Sequence, residues 1–216
     1  NTVGKYYKCG EDFYPVLLSE LKNAKKYIFM EYFIVEEGNM WDEILTILKE
    51  KVKEGVEVRF LYDDIGCLLT LPVNYFKKLR SYGIKANCFA KFNGRANSSH
   101  NNRSHRKITI IDGKIAFTGG INLADEYINK NDRLGYWKDS VIELRGKGVN
   151  ELLETYLFDW DLNDGNISKI DDYLDLDNDL NNDGYYLPFG TGPRPIYVPD
   201  IAQNMYLNLI NQAKKY

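Results

Sequence analysis

Three short apolar runs constrain this chain most strongly: YIFMEYFIV (27–35), VEVRFLYDD (56–64) and IKANCFA (84–90). Their aromatic and β-branched content reads as strands buried on both faces. Stretches with helical spacing separate them, and another, LLSELKNAKKY (17–27), precedes the first. Strands and helices alternating in this way predict an α/β fold, a mixed, mostly parallel β-sheet flanked by helices on both faces. Asn39 is positioned to cap the second helix, which ends at Gly55, and Pro72 and Gly83 bracket the helix at 72–82. A hairpin follows, KITIID and KIAFTGG, with Asp112-Gly113 as its turn. Residues 122–136 read as irregular or briefly helical, 137–146 as a strand, and 147–162 as a helix with Val149, Leu152, Leu153, Tyr156, Leu157 and Trp160 on one face.

The net charge of −3 excludes a global field that would recruit nucleic acid. The one local basic cluster, Lys91, Arg95, Arg103 and Arg106, suits anionic lipid heads and nucleic acid equally well. Three cysteines with no close pair (Cys9, Cys67, Cys88) argue against a disulfide framework or a zinc site and suit a reducing compartment. No apolar run reaches the ~18 residues that span a bilayer, and no signal peptide is visible. Tyr6, Tyr7, Phe13 and Tyr14 read as packing, with an amphipathic membrane role left open. Asp179-x-Asn181-x-Asp183-Gly184 resembles the opening of a calcium loop, but Gly190 occupies the position that needs glutamate.

The chain begins with Asn1 rather than Met, and is expected to be a piece of something longer. Residues 1–162 read as one catalytic unit and 163–200 as an acidic, Gly- and Pro-containing linker. Residues 201–216 read as the first helix of a second unit, because LINQAKKY (209–216) repeats ELKNAKKY (20–27).

The chemistry concentrates in HRKITIID (105–112). In a regular strand His105, Lys107 and Thr109 share one face, and Asp112, of opposite parity at the turn, reads as holding the turn or a neighbouring backbone amide. An imidazole beside an ammonium suits a phosphoryl group: the ring attacks phosphorus and the lysine stabilises the non-bridging oxygens. The attacking ring needs its other nitrogen to donate to an acceptor, and Asp139, Glu126 and Glu31 are candidate carboxylates. Glu31, the one charge in an apolar strand, must be paired or functional. Gly119 and Gly120 let backbone approach a ligand, and the Asn122 amide can donate to a phosphate oxygen. His100, the other imidazole, has no lysine at the matching spacing.

These residues resemble the phospholipase D superfamily. Its HxKxxxxD signature is met by His105, Lys107 and Asp112, its downstream glycine-rich stretch by Gly119, Gly120 and Asn122, and its later histidine-orienting acid by Asp139. EYFI (31–34), LYDDIG (61–66), 101–127, GYWKDS (135–140) and LFDWD (157–161) narrow the likeness to the first catalytic half of the bacterial cardiolipin synthase family. One departure is Lys-Asp-Ser-Val at 138–141, where that family often has Arg-Asp-Thr-His. The resemblance implies a phosphatidyltransferase that joins two phosphatidylglycerol molecules through a phosphohistidine and releases glycerol, with no metal or other cofactor. It implies a second histidine, from a second half of the same chain or a homodimer partner. It also implies a cell-membrane location for the full-length protein, with the catalytic part on the non-oxidising side and this stretch itself soluble. Other readings are a different phospholipase D-type phosphodiesterase or transferase, a single-motif dimeric nuclease, or a noncatalytic phosphate-binding scaffold. The mild net charge makes nucleic acid the weaker partner.

Overall fold

The structure, a computed structural model, describes residues 1–91, 103–132, 135–175, 180–181, 184–191 and 200–215. Its strands are β1 (Thr2–Tyr7), β2 (Tyr27–Tyr32), β3 (Glu57–Asp63), β4 (Lys85–Phe89), β5 (Ile108–Ile111), β6 (Ile115–Gly119) and β7 (Val141–Gly146). Its α-helices are α1 (Gly10–Asn23), α2 (Asn39–Lys53), α3 (Tyr75–Ser81), α4 (Gly148–Asp164) and α5 (Ile201–Gln212). The seven strands form one sheet in the order β1-β7-β6-β5-β2-β3-β4.

The α/β class and mixed sheet are as the sequence predicts, but the sheet is not mostly parallel. Only β2–β3 and β3–β4 pair in parallel, and the other four pairings are antiparallel. The reason is connectivity. Helical crossovers return the chain parallel, whereas the three-residue connection 112–114 between the paired Ile111 and Ile115 can only return it antiparallel. Both turn residues have positive φ, 56° and 71°, the pairing that matches the twist of a tight hairpin. The sequence reading also passed over β1, an edge strand that Tyr7 and the chain start contribute against β7.

Alternation along the strands divides the core in two. Ile28, Met30 and Tyr32 of β2 join Val58 and Phe60 of β3 beneath α1, α2 and α3. Tyr27 and Phe29 join Leu61, Ile108 and Ile110 beneath α4, whose Val149, Leu152, Leu153, Tyr156, Leu157 and Trp160 are all buried. Tyr7, Phe13 and Tyr14 are core residues, while Tyr6 is exposed. Within the stretch read as a linker, Tyr173 packs back on this layer, its ring 5.3 Å from that of Tyr27 and 5.0 Å from that of Phe29. No residue of α5 is buried.

Two carboxylates join distant segments. Asn39 does not cap α2; Asp125 does, accepting from the Asn39 and Met40 amides at 3.0 and 2.7 Å. Asp112 accepts from the amides of Lys25, Lys26 and Tyr27 at 2.8, 2.7 and 2.9 Å, fastening the hairpin to the start of β2. An Asp112→Ala variant leaves three backbone donors without that acceptor and should lose about 3 kcal/mol in a denaturant titration. Asp112→Asn, which keeps one acceptor and tolerates the positive φ, should lose less.

Candidate active site

The segment that brings residues 103–107 to β5 makes no ladder hydrogen bonds of its own; two buried carboxylates hold it. Asp63, at the end of β3, accepts from Arg103 Nη1 at 3.1 Å and from the Ser104 amide at 3.2 Å. The same carboxylate accepts from the amides of Ile65 and Gly66, at 3.0 and 2.8 Å. Glu31, in β2, accepts from the Ser104 hydroxyl through Oε1. Its Oε2 has no hydrogen-bond partner among the described residues. Burial raises the Glu31 pKa to about 7, against the Ser104 hydrogen bond and the charge of Arg106, and with the help of Asp63. Burial also raises that of Asp63, against its hydrogen bonds and Arg103.

His105 and Lys107 converge even though β5 begins only at Ile108. Lys107 Nζ lies 3.2 Å from His105 Nδ1 and donates to the His105 carbonyl at 2.7 Å. The imidazole is exposed and lies against Phe33, ring centroids 4.6 Å apart. Lys107 is 4% exposed, and its ammonium sits 5.3 Å from the centroid of the same Phe33 ring. Burial lowers the Lys107 pKa to about 8, opposed by the charge of Asp139. Burial, then the Lys107 charge, lowers the His105 pKa below its ordinary value, and Asp63 opposes this. At neutral pH the pair is therefore a neutral ring beside a cation. Both residues border a cavity of about 430 Å³ whose wall includes Phe89, Ile108, Leu152 and Thr118.

The other expected residues are not all gathered there. Asp139 does not hold the ring: its Oδ1 accepts from the Ser140 amide at 2.8 Å, and its effect reaches Lys107 as charge. It fits because Gly120 has no side chain; a Cβ there would stand 2.0 Å from Asp139 Oδ1. The Asn122 amide is committed within the chain, Oδ1 to the Ile34 amide at 2.9 Å and Nδ2 to the Tyr127 hydroxyl at 2.8 Å, instead of offering itself to a phosphate. Asp112, expected among the catalytic groups, spends its carboxylate on three backbone amides at the far end of β5. Glu126 lies in the turn Asp125–Ile128. The basic cluster disperses: Arg103 to Asp63, Arg106 to Asp159, and Lys91 over the Phe76 ring at 5.5 Å. His100, Arg95, Asp179 and Asp183 fall outside the described residues, as does Tyr216. Among the described residues no cluster of His, Cys, Asp or Glu could hold a metal ion.

Sequence reasoning missed Asp63, Ser104 and Phe33. Asp63 carried a signal, a carboxylate closing an apolar strand. Ser104 and Phe33 carried none, because their roles depend on contacts across the sheet.

With two histidines in the chain, proton NMR can follow His105 directly. Its pKa should lie below 6.5 and rise in Lys107→Met, which removes a neighbouring positive charge. Glu31 should appear in stability. Between its unfolded pKa near 4.5 and its folded value of about 7, the native chain holds a proton that the unfolded chain lacks. Stability therefore falls as pH rises through that window, and Glu31→Gln should flatten the profile.

Residues 17–153 match the family described as cardiolipin synthase, PLD-like domain. An uncharacterized protein of Streptococcus mutans serotype c is 40% identical over 216 residues, 100% of this chain and 46% of the relative. A cardiolipin synthase of Alkalihalophilus pseudofirmus is 34% identical over 208 residues, 95% of this chain and 41% of the relative. The chain thus spans less than half the length of these relatives. Among solved structures, a phosphatidylserine synthase of Haemophilus influenzae Rd KW20 superposes with a TM-score of 0.60 at 15% identity, over 79% of this chain and 41% of that one, and shares the fold. A match across most of the chain, which includes His105 and Lys107, makes this chain a member of the cardiolipin synthase PLD-like domain family.

Proposed function

We propose that this chain is the first catalytic half of a cardiolipin synthase, transferring a phosphatidyl group from one phosphatidylglycerol to another. The observation that carries this reading is the exposed His105 ring with its Nδ1 3.2 Å from the Lys107 ammonium at a cavity mouth. An entering phosphodiester draws Lys107 onto its non-bridging oxygens, which frees the ring. A ring nitrogen attacks phosphorus, the bond from phosphorus to the head-group glycerol oxygen breaks, and that oxygen takes a proton and leaves as glycerol. The glycerol hydroxyl of a second phosphatidylglycerol then attacks the phosphohistidine, gives up its proton, and restores the ring. The proton donor and acceptor is a second histidine, supplied by a second half of the same chain or by a homodimer partner.

Three features support this division of the chain. Residues 1–162 contain the sheet and its helices, the chain covers less than half of its relatives, and α5 buries none of its residues. Residues 201–216 are, in this reading, the first helix of the second half, and residues 163–200 connect the two. No helix among the described residues is long and apolar enough to cross a membrane, so in this reading any membrane-spanning anchor of the full-length enzyme lies in other segments.

Products formed from phosphatidylglycerol vesicles by this chain, completed with a second half of the same type, provide the test. Cardiolipin and glycerol should appear by mass spectrometry. His105→Ala should abolish both, and Lys107→Met should reduce the rate by about 10²–10³-fold. Cardiolipin that persists in His105→Ala contradicts the proposal. The pH profile should be a bell. The rate rises as pH climbs through the lowered His105 pKa and the ring becomes neutral, then falls near 8 as Lys107 loses its proton.

A further inference from the structure

Between β3 and α3 the chain makes a knuckle, residues 64–74, whose tip is apolar and turned to solvent. Leu69 is 96% exposed, Val73 84% and Leu68 49%. Its base is fixed. Asp63 holds the amides of Ile65 and Gly66, and the Cys67 amide donates to the Asp63 carbonyl at 3.0 Å. The Val35 amide donates to Cys67 Sγ at 3.2 Å, and the Thr70 hydroxyl donates to the Val35 carbonyl at 2.6 Å. Gly66 lies so close to Phe33 that a Cβ would stand 2.2 Å from its carbonyl oxygen, and the Phe33 ring packs on His105. Three apolar side chains are thus held outward from a rigid base that shares Asp63 and Phe33 with the candidate site.

We propose that this knuckle is the lipid-docking element, with Leu69 and Val73 inserting among acyl chains and Leu68 at the interface. The inference rests on the phospholipid reading above and adds to it the residues that bring the site to the bilayer. A notch of about 110 Å³ between Leu68, Leu71 and Val73 gives the tip a surface that can close around a chain. Its flank is cationic. Lys77 and Lys91 are exposed, whereas Glu37 is neutralised by Lys78 at 2.7 Å and Asp64 faces the notch. An apolar tip with basic shoulders matches an anionic lipid surface.

Sedimentation with vesicles of phosphatidylglycerol and phosphatidylcholine reads the proposal without turnover. Leu69→Ser should weaken partitioning about tenfold, and Leu69→Ser with Val73→Ser on the order of a hundredfold. Lys77→Ala and Lys91→Ala should each cost about fivefold, and only on vesicles containing phosphatidylglycerol. Because these side chains are exposed, the fold should survive, which circular dichroism verifies. In Leu69→Trp, brominated acyl chains should quench the added fluorescence, whereas in Lys147→Trp they should not. Unchanged partitioning in the double variant, an unquenched Trp at position 69, or loss of self-association in place of lipid binding overturns the proposal. Cardiolipin production with undiminished vesicle binding by the loop variants refutes this inference alone. Knuckle-dependent binding with no cardiolipin refutes the synthase reading alone.

Discussion

One buried carboxylate, Asp63, organises the end of this sheet. It closes an apolar strand and gathers donors from two segments that have no ladder of their own, Ile65 and Gly66 on one side and Arg103 and Ser104 on the other. Burying such a group is costly unless its lone pairs are satisfied, and here they are satisfied by the backbone that must be positioned. The strand end is therefore a junction. The knuckle, the His105 segment and the sheet cannot move independently while that carboxylate remains buried.

Electrostatics at the site follow from the same economy of exposed surface. Lys107 is buried beside an exposed ring; burial, then the Lys107 charge, holds the ring's pKa down, and burial lowers that of the lysine against the charge of Asp139. Glu31, which holds Ser104 next to His105 and has its second oxygen unpartnered among the described residues, has a folded pKa of about 7 because burial disfavours its charge. An exposed imidazole with a buried cation 3.2 Å from its Nδ1 is the arrangement that the proposed attack on a phosphodiester needs.

The sequence made some of this readable and hid the rest for identifiable reasons. The three apolar strands and the Asp112-Gly113 hairpin were legible because their signals are local: hydrophobic runs and an Asp-Gly turn. The spacing of His105 and Lys107 placed them together because side chains two apart point the same way even in an extended segment outside a sheet. The sheet is less parallel than the strand-helix alternation implies because the strands after β4 all pair antiparallel, β5 with β2 and β6, and β7 with β6 and with β1 across more than a hundred residues, pairings that the alternation does not signal. Asp112 holds backbone amides as its place at the turn implies, whereas motif spacing, which named it with Asp139 and Asn122, fixes neighbourhood but not hydrogen-bond partners. Each finds backbone or a neighbouring side chain first. Asp63 escaped notice because a strand-ending aspartate is ordinary until its partners are known.

The central claim is that His105 and Lys107 form one phosphate-binding pair. It is tested most directly by titrating the chain with short-chain phosphatidylglycerol below its micellar concentration and following the His105 ring by NMR. The account predicts a saturable shift of that resonance and a rise in its pKa on binding, both lost in Lys107→Met while the fold is kept. A His105 resonance indifferent to the lipid, or one that responds identically without Lys107, would contradict it.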